Sequence, residues 1–423
     1  MDIAAGRGWA ATYQDIEPRL QSFATYAIEH PRLLAAIFLY LAFVAAFARH
    51  ATKTVFNRQP PLSLACILRI AWVTRPLQLL WRVLTFWARV PAPDVYVLGE
   101  ARCGTTTLCA LLRSQLGMLG AFSIWDHPLA NDKESFYFVG HIFGIVSPLL
   151  YRICLPLKLR RPAVVFEGCA SYLCAPWVPM LVRRLHRRRR PPVLVVMLRE
   201  PVAQNLSWWR LEQAGMAWGS AMGLGDDYSV RGAAYPPPTL RAAAALSRSP
   251  EVAAQWREAE LLGAGNMLPA WATPFPAGQL CAFDAMGRVV DSILRWQAHM
   301  PDATFVFVTL DELSSSPRSV LQRIADAVAR SGALGGDVEL EAKLRAAADA
   351  APATAAPRLN DAPSLAGTPL EPDEATLREL AARYRPSNLR LFELLGRDLG
   401  WHDDPRYEYY RERFFFDYKF TVV

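Results

Sequence analysis

The chain has 423 residues, 52% of them apolar, and a formal net charge of +7. That composition excludes a disordered polymer and supplies material for one large α/β domain with an appendage. The positive balance suits an anionic ligand or surface, and the absence of any repeated nucleic-acid-binding signature argues against DNA or RNA as the partner.

Residues 1–32 read as an N-terminal tail of mixed charge. Arg32 and Arg49 then bracket Leu33 to Ala48, an uncharged apolar run at the short end of what spans a bilayer. It reads as a single transmembrane helix over 33–48, with a buried core helix as the alternative. Flanking charges nearly balance and leave the orientation open. Residues 49–91 read as a stem. Within it Leu62 to Trp87 sets Arg69, Arg75 and Arg82 at near-heptad spacing among Trp72, Trp81 and Trp87. Such a pattern fits an amphipathic helix at a membrane surface, or one packed on the domain with a basic solvent face. Ile142 to Leu159, broken by Pro148 and Pro156, is a second candidate for membrane contact.

Short apolar runs bounded by turns recur at Val95 to Leu98, Val164 to Phe166, Val193 to Leu198 and Phe305 to Leu310, with helical patterns between them. Continuous apolar strands alternating with helices predict an open parallel sheet flanked by helices, with ligands at the strand C-terminal ends. The first run leads into Gly99-Glu-Ala-Arg-Cys-Gly104 and then Thr105, Thr106 and Thr107. Glycines at this spacing, between a strand and a helix start, have the form of a phosphate cradle built from backbone N–H groups. Thr105 stands where a nucleoside triphosphatase carries its lysine, which argues against triphosphate hydrolysis. The third run continues through Arg199 and Pro201 to Ser207. Pro201 opens a helix, and Arg199 and Ser207 converge on a second phosphate, so the sheet edge fits a nucleotide phosphorylated at both ends. The alternative is a strand-end salt bridge beside a surface serine.

Seven cysteines (66, 103, 109, 154, 169, 174 and 281) form no Cys-x-x-Cys pair and no Cys/His metal spacing. No metal is expected. Cys169 and Cys174 are open to two readings, a bridge in an oxidising compartment or buried free thiols. The basic run His186 to Arg190 reads as a solvated loop, or as an attractor for a polyanionic glycan or lipid headgroups.

Taken in order, these segments resemble the 3'-phosphoadenylyl sulfate (PAPS)-dependent sulfotransferases, most closely the heparan-type carbohydrate branch. Gly99 to Leu108 is similar to the family's 5'-phosphosulfate loop, and Leu198 to Ser207 to its 3'-phosphate site. Lys133-Glu-Ser-Phe-Tyr-Phe138 resembles a conserved Lys-Glu segment. Glu167 to Leu173 resembles a strand-to-loop segment, Trp296 to Pro317 a later strand with an acidic turn, and Tyr384 to Trp401 the closing helix. Two departures stand out: Gly168 where a lysine is frequent, and Phe136 where a histidine is frequent. The resemblance covers about residues 92–402, which sets a catalytic domain at 92–405 and leaves 406–423 as an aromatic tail.

That resemblance implies sulfuryl transfer from PAPS to a hydroxyl, on a glycan, in the Golgi lumen, from a type II membrane protein. It implies Glu134 as general base and Arg102 or Lys133 as the cation beside the bridging oxygen. Arg102, Cys103, Gly104, Thr105, Thr106 and Thr107 would hold the 5'-phosphosulfate, Arg199 and Ser207 the 3'-phosphate, with Arg358 on a late loop over the nucleotide. Competing readings are a lipid or small hydroxylated metabolite as acceptor, a non-catalytic nucleotide-binding scaffold, and a P-loop kinase. Asn205-Leu-Ser207 is a glycosylation sequon, and phosphate binding at Ser207 requires Asn205 to be buried.

Overall fold

The computed structural model describes residues 80–121, 135, 137–138, 148–158, 163–170, 172–210, 229–230, 233–234, 239–250, 253–254, 283–353 and 374–401. The chain divides into two units, Met1–Gln78 and Leu79–Val423, and the description concerns the second. The 33–48 run, most of the stem, Lys133, Glu134, Phe136, Arg358 and the aromatic tail lie outside the described residues. Among the described residues no helix is long and apolar enough to cross a membrane.

Five parallel strands form the sheet: β1 (Val95–Gly99), β2 (Leu119–Gly120), β3 (Val165–Cys169), β4 (Val193–Leu198) and β5 (Thr304–Thr309), in the order β2-β3-β1-β4-β5. Every residue of β1, β3 and β4 is buried, which is why these strands read as unbroken apolar runs rather than alternating ones. Val95 and Val97 pack on one face with Leu108 and Leu112 of α1 (Thr105–Ser114) and Val320, Leu321 and Ile324 of α7 (Pro317–Arg330). Tyr96 and Leu98 point to the other face. They meet Leu181 of α2 (Val178–His186), Ile293 and Trp296 of α5 (Val289–His299), and Leu391 and Phe392 of α9 (Glu374–Leu395).

Strand ends shift by a residue from the sequence reading, and two differences are larger. β3 runs on through Glu167 and Gly168 to Cys169, with Tyr96 opposite Glu167 and Val97 opposite Gly168. A carboxylate inside a buried strand is tolerated because side chains from elsewhere in the chain donate to it. The expected acidic turn after β5 is helix α6 (Leu310–Ser315), started by a capping box in which Thr309 and Glu312 exchange hydrogen bonds.

Gly168 also explains one departure from the family pattern. A Cβ there would lie 2.3 Å from Cys109 Sγ, so the helix thiol fills the space a larger residue needs. Gly168→Ala is expected to lower stability by roughly 1–3 kcal/mol through overpacking. Adding Cys109→Ala is expected to recover most of that loss, because the two sites share one void. Denaturant midpoints of the two single variants and the double variant check this; additive losses would contradict it.

The five described cysteines, 103, 109, 154, 169 and 174, are buried free thiols, which decides between the two readings of Cys169 and Cys174.

Candidate functional site

Neighbouring strands β1 and β4 send their connections in opposite directions, β1 toward β2 and β3, β4 toward β5. Open α/β sheets hold ligands in the crevice at such a switch point, outside the strand C-terminal ends. The loop after β1 and the segment after β4 meet there.

After Gly99 the chain turns sharply, and Cys103 N–H donates to the Glu100 carbonyl at 3.2 Å. Arg102 takes a left-handed conformation, φ 71°, uncommon for a side-chain-bearing residue and stored where the surroundings over-determine it. Gly104 is also left-handed, φ 90°, and a Cβ on it would come within 2.7 Å of Leu310 Cδ1. The helix that follows has no side-chain cap at Gly104, and its first internal bond runs from Leu108 N–H to the Gly104 carbonyl. Thr105, Thr106 and Thr107 therefore have no carbonyl within α1 to accept their N–H groups, and that end of the helix attracts an anion. Thr105 and Thr106 are buried and Thr107 is half-buried.

On the β4 side, helix α3 (residues 201–210) begins at Pro201. Its first turn is already satisfied: the Glu200 carboxylate accepts from Val202 N–H at 2.8 Å and Ala203 N–H at 2.6 Å. Side chains are what this segment offers a ligand. Ser207 Oγ accepts from Arg102 Nε at 3.0 Å, and Arg199 Nη1 donates to the Arg102 carbonyl at 2.7 Å. Gln204 Nε2 donates to the Ala101 carbonyl at 3.0 Å, a further tie between the two segments. Arg102, Arg199 and Ser207, 97 and 105 positions apart from the first, are thus brought into direct contact. Cys103 belongs to the loop differently from its neighbours. Its N–H is committed to Glu100 and its thiol sits in the core, pushed up in pKa by burial and then by the Glu100 charge.

Asn205 is fully buried, its Nδ2 donating to Tyr384 Oη at 2.7 Å. The sequon asparagine is inaccessible in the folded chain.

Three buried side chains near the strand ends, Glu167, Tyr172 and Glu100, received no role in the sequence reading. Glu167, on β3, accepts on one oxygen from Ser135 N–H at 3.3 Å, from the Ser135 hydroxyl, and from Tyr172 Oη at 2.9 Å. Tyr172 Oη accepts in turn from Phe138 N–H at 3.3 Å, and Trp177 Nε1 donates to the Phe138 carbonyl at 2.8 Å. This network fastens Ser135 and Phe138 to the C-terminal end of β3. The third is Glu100, directly after β1. It is buried, and among the described residues neither of its oxygens has a hydrogen-bond partner of normal geometry. Burial pushes its carboxyl up to about 8, against smaller lowering by the Cys174 thiol and the Arg295 guanidinium.

Glu100 gives a pH prediction. Its folded pKa of about 8 lies above the ordinary value of 4.5, so the folded state holds a proton that the unfolded state releases. The resulting stability is fully present below the ordinary value and is lost as pH rises to about 8. Glu100→Gln keeps the shape without the proton. It is expected to stabilise the chain by on the order of 2–4 kcal/mol above the folded pKa and to flatten the pH dependence below it. Melting curves across that range check this; parallel curves for the two proteins would contradict it.

No protein-family model matches this chain, and neither does any curated protein. Among solved structures it is similar to a sulfotransferase from Alicyclobacillus acidocaldarius, at 18% identity over 74% of this chain and 100% of that one, with a TM-score of 0.38. At that score the likeness is a loose one.

Proposed function

We propose that this chain is a sulfotransferase that binds PAPS across the β1/β4 crevice and transfers its sulfuryl group to a hydroxyl, on a glycan. One observation carries the reading. A glycine-bounded loop leading to a helix start without a side-chain cap is joined through Arg102 to Arg199 and Ser207, and two arginines and a hydroxyl beside such a helix start are a set that suits a doubly phosphorylated nucleotide.

The acceptor oxygen attacks sulfur in line, the bond from sulfur to the 5'-phosphate oxygen breaks with its electron pair, and adenosine 3',5'-bisphosphate leaves. Glu134 takes the hydroxyl proton. Arg102 and the first-turn N–H groups of α1 stabilise the charge that grows on the departing oxygen. Arg199 and Ser207 hold the 3'-phosphate and select the cofactor, contributing to binding rather than to the chemical step. Lys133 is assigned as a second cation for the transfer and Arg358 as a further contact to the nucleotide, both on the family resemblance alone. With Cys109 occupying the space beside Gly168, no cation is supplied from that position of β3.

Calorimetry with adenosine 3',5'-bisphosphate and with 5'-AMP tests the assignment of the two phosphates. The bisphosphate is expected to bind more tightly, and Arg199→Ala to weaken it by about 10- to 100-fold, the loss of a charge-assisted hydrogen bond, and 5'-AMP by clearly less, through the lost brace on the Arg102 carbonyl. Equal losses for both nucleotides would contradict the role given to Arg199.

A further inference from the structure

The edge of the sheet opposite the crevice carries an arrangement that phosphate binding leaves unused. Three segments meet there. Residues 80–84 are helical and a 3-10 turn follows at Phe86–Ala88. Val90 N–H donates to the Pro156 carbonyl at 3.0 Å, Lys158 N–H to the Ala88 carbonyl at 2.8 Å, and Arg89 pairs with Leu157.

The arginines of this strap turn inward. Arg82 Nη1 donates to the carbonyls of Ile153 at 2.9 Å and Leu155 at 3.3 Å, and Arg89 Nη1 to Leu155 at 2.6 Å. Arg152 Nη2 donates to the carbonyl of Arg89 at 2.6 Å, with its guanidinium 5.1 Å from the Phe86 ring centroid. Apolar side chains face out instead: Trp81 is 58% exposed, Val83 52%, Leu84 53% and Trp87 82%. The described tryptophans elsewhere, 177, 208, 209, 296 and 401, are all buried. A face built for water alone would present the arginines and bury the indoles.

The strap and the basic run carry charge of one sign. Residues 80–93, 148–158 and 183–192 contain ten Lys and Arg and not one Asp or Glu, whereas the rest of the chain holds 36 basic and 39 acidic residues; Asp302, which precedes β5 at the same edge, is exposed. Asp94, next in line, points into the sheet and accepts from Val165 N–H at 2.9 Å. Arg187 to Arg190 are exposed. Helix α2, which leads into this run, packs against the 3-10 helix Pro148–Cys154, so the basic run lies beside the aromatic strap.

We infer that this edge docks on an anionic lipid bilayer, with Trp81, Val83, Leu84 and Trp87 in the headgroup layer and the Arg187–Arg190 run on the surface charge. Indoles favour that layer and clustered basic residues favour anionic headgroups. The chain outside the described residues points to the same occupant, because the sequence leading into Leu80 from Leu62 is apolar, with interspersed arginines and Trp72. The inference rests on the proposed function only for its consequence. β1 has five residues, so the crevice lies roughly 16 Å farther from the bilayer, open to an acceptor that arrives from water rather than from the same membrane.

The test uses the full chain in nanodiscs with about 30% anionic lipid, with and without brominated acyl chains that quench nearby indoles. The difference in emission between the wild type and a Trp81→Phe, Trp87→Phe variant isolates those two indoles. That difference is expected to fall by about half or more when bromine is present, and to recover when Arg187, Arg188 and Arg190 are replaced by serine. An unchanged difference would overturn the inference. So would an unchanged difference in a protein whose dimers dissociate on Trp87→Arg, which would assign the face to a second copy. Neither readout depends on sulfuryl transfer.

Discussion

Arg102→Gly is expected to lower kcat by about 10²- to 10³-fold, the scale of removing one fixed charge-stabilising donor. Glycine is the informative replacement. Arg102 sits at φ 71°, a conformation glycine adopts freely, so this replacement brings no backbone strain, whereas alanine would keep the cost of about 1–2 kcal/mol that the arginine already carries. The Arg102 carbonyl remains to accept from Arg199, so the loop keeps its brace while Ser207 loses its partner. Arg102→Lys is expected to fall close to the glycine variant, because an ammonium cannot reproduce the guanidinium's spread of donors toward Ser207 and a phosphate together. Turnover rates with melting temperatures check this. A large fall in kcat at near-constant melting temperature is expected; full turnover in Arg102→Gly would remove Arg102 from the chemistry.

Glu167→Ala is expected to cost about 3–5 kcal/mol, the scale of removing one partner from a buried charged network. Ser135 and Tyr172 would both lose their acceptor, and the Phe138 tie through Tyr172 would loosen with them. Glu167→Gln keeps the shape and one carbonyl oxygen, so it is the variant in which folding survives. On the proposed function, with Glu134 as the base, the glutamine variant is expected to lower kcat while leaving bisphosphate affinity near wild type. A purely structural role predicts no such split. Stopped turnover assays and calorimetry on the same preparation distinguish the two.

Much of the scaffold was legible because it rests on local rules. Val95 to Leu98 and Val193 to Leu198 announced buried parallel strands by their unbroken apolar runs, and the turn between Gly99 and Thr105 announced itself by its glycines. The contact of Arg102 with Ser207 was legible only as convergence on one edge, since the strand order that makes β1 and β4 neighbours is not written in either segment. Glu167 and Glu100 were illegible for a different reason. A buried carboxyl is set by what surrounds it, and Ser135 lies 32 positions from Glu167. The capping box at Thr309 and Glu312 was legible, as a Thr-x-x-Glu spacing, and was read instead as an acidic turn. Arg82 misled in another way: periodicity places a residue on a helix face, but whether that face meets water or the carbonyls of Ile153 and Leu155 is decided by tertiary packing.

Sulfuryl transfer itself is tested most directly by incubating the full chain with PAPS carrying radiolabelled sulfate and a panel of glycans, lipids and small alcohols, beside Glu134→Gln. The account predicts label on a glycan hydroxyl, one equivalent of adenosine 3',5'-bisphosphate released per label transferred, and loss of transfer in the variant with bisphosphate binding retained. A wild-type chain that binds neither PAPS nor the bisphosphate would contradict it.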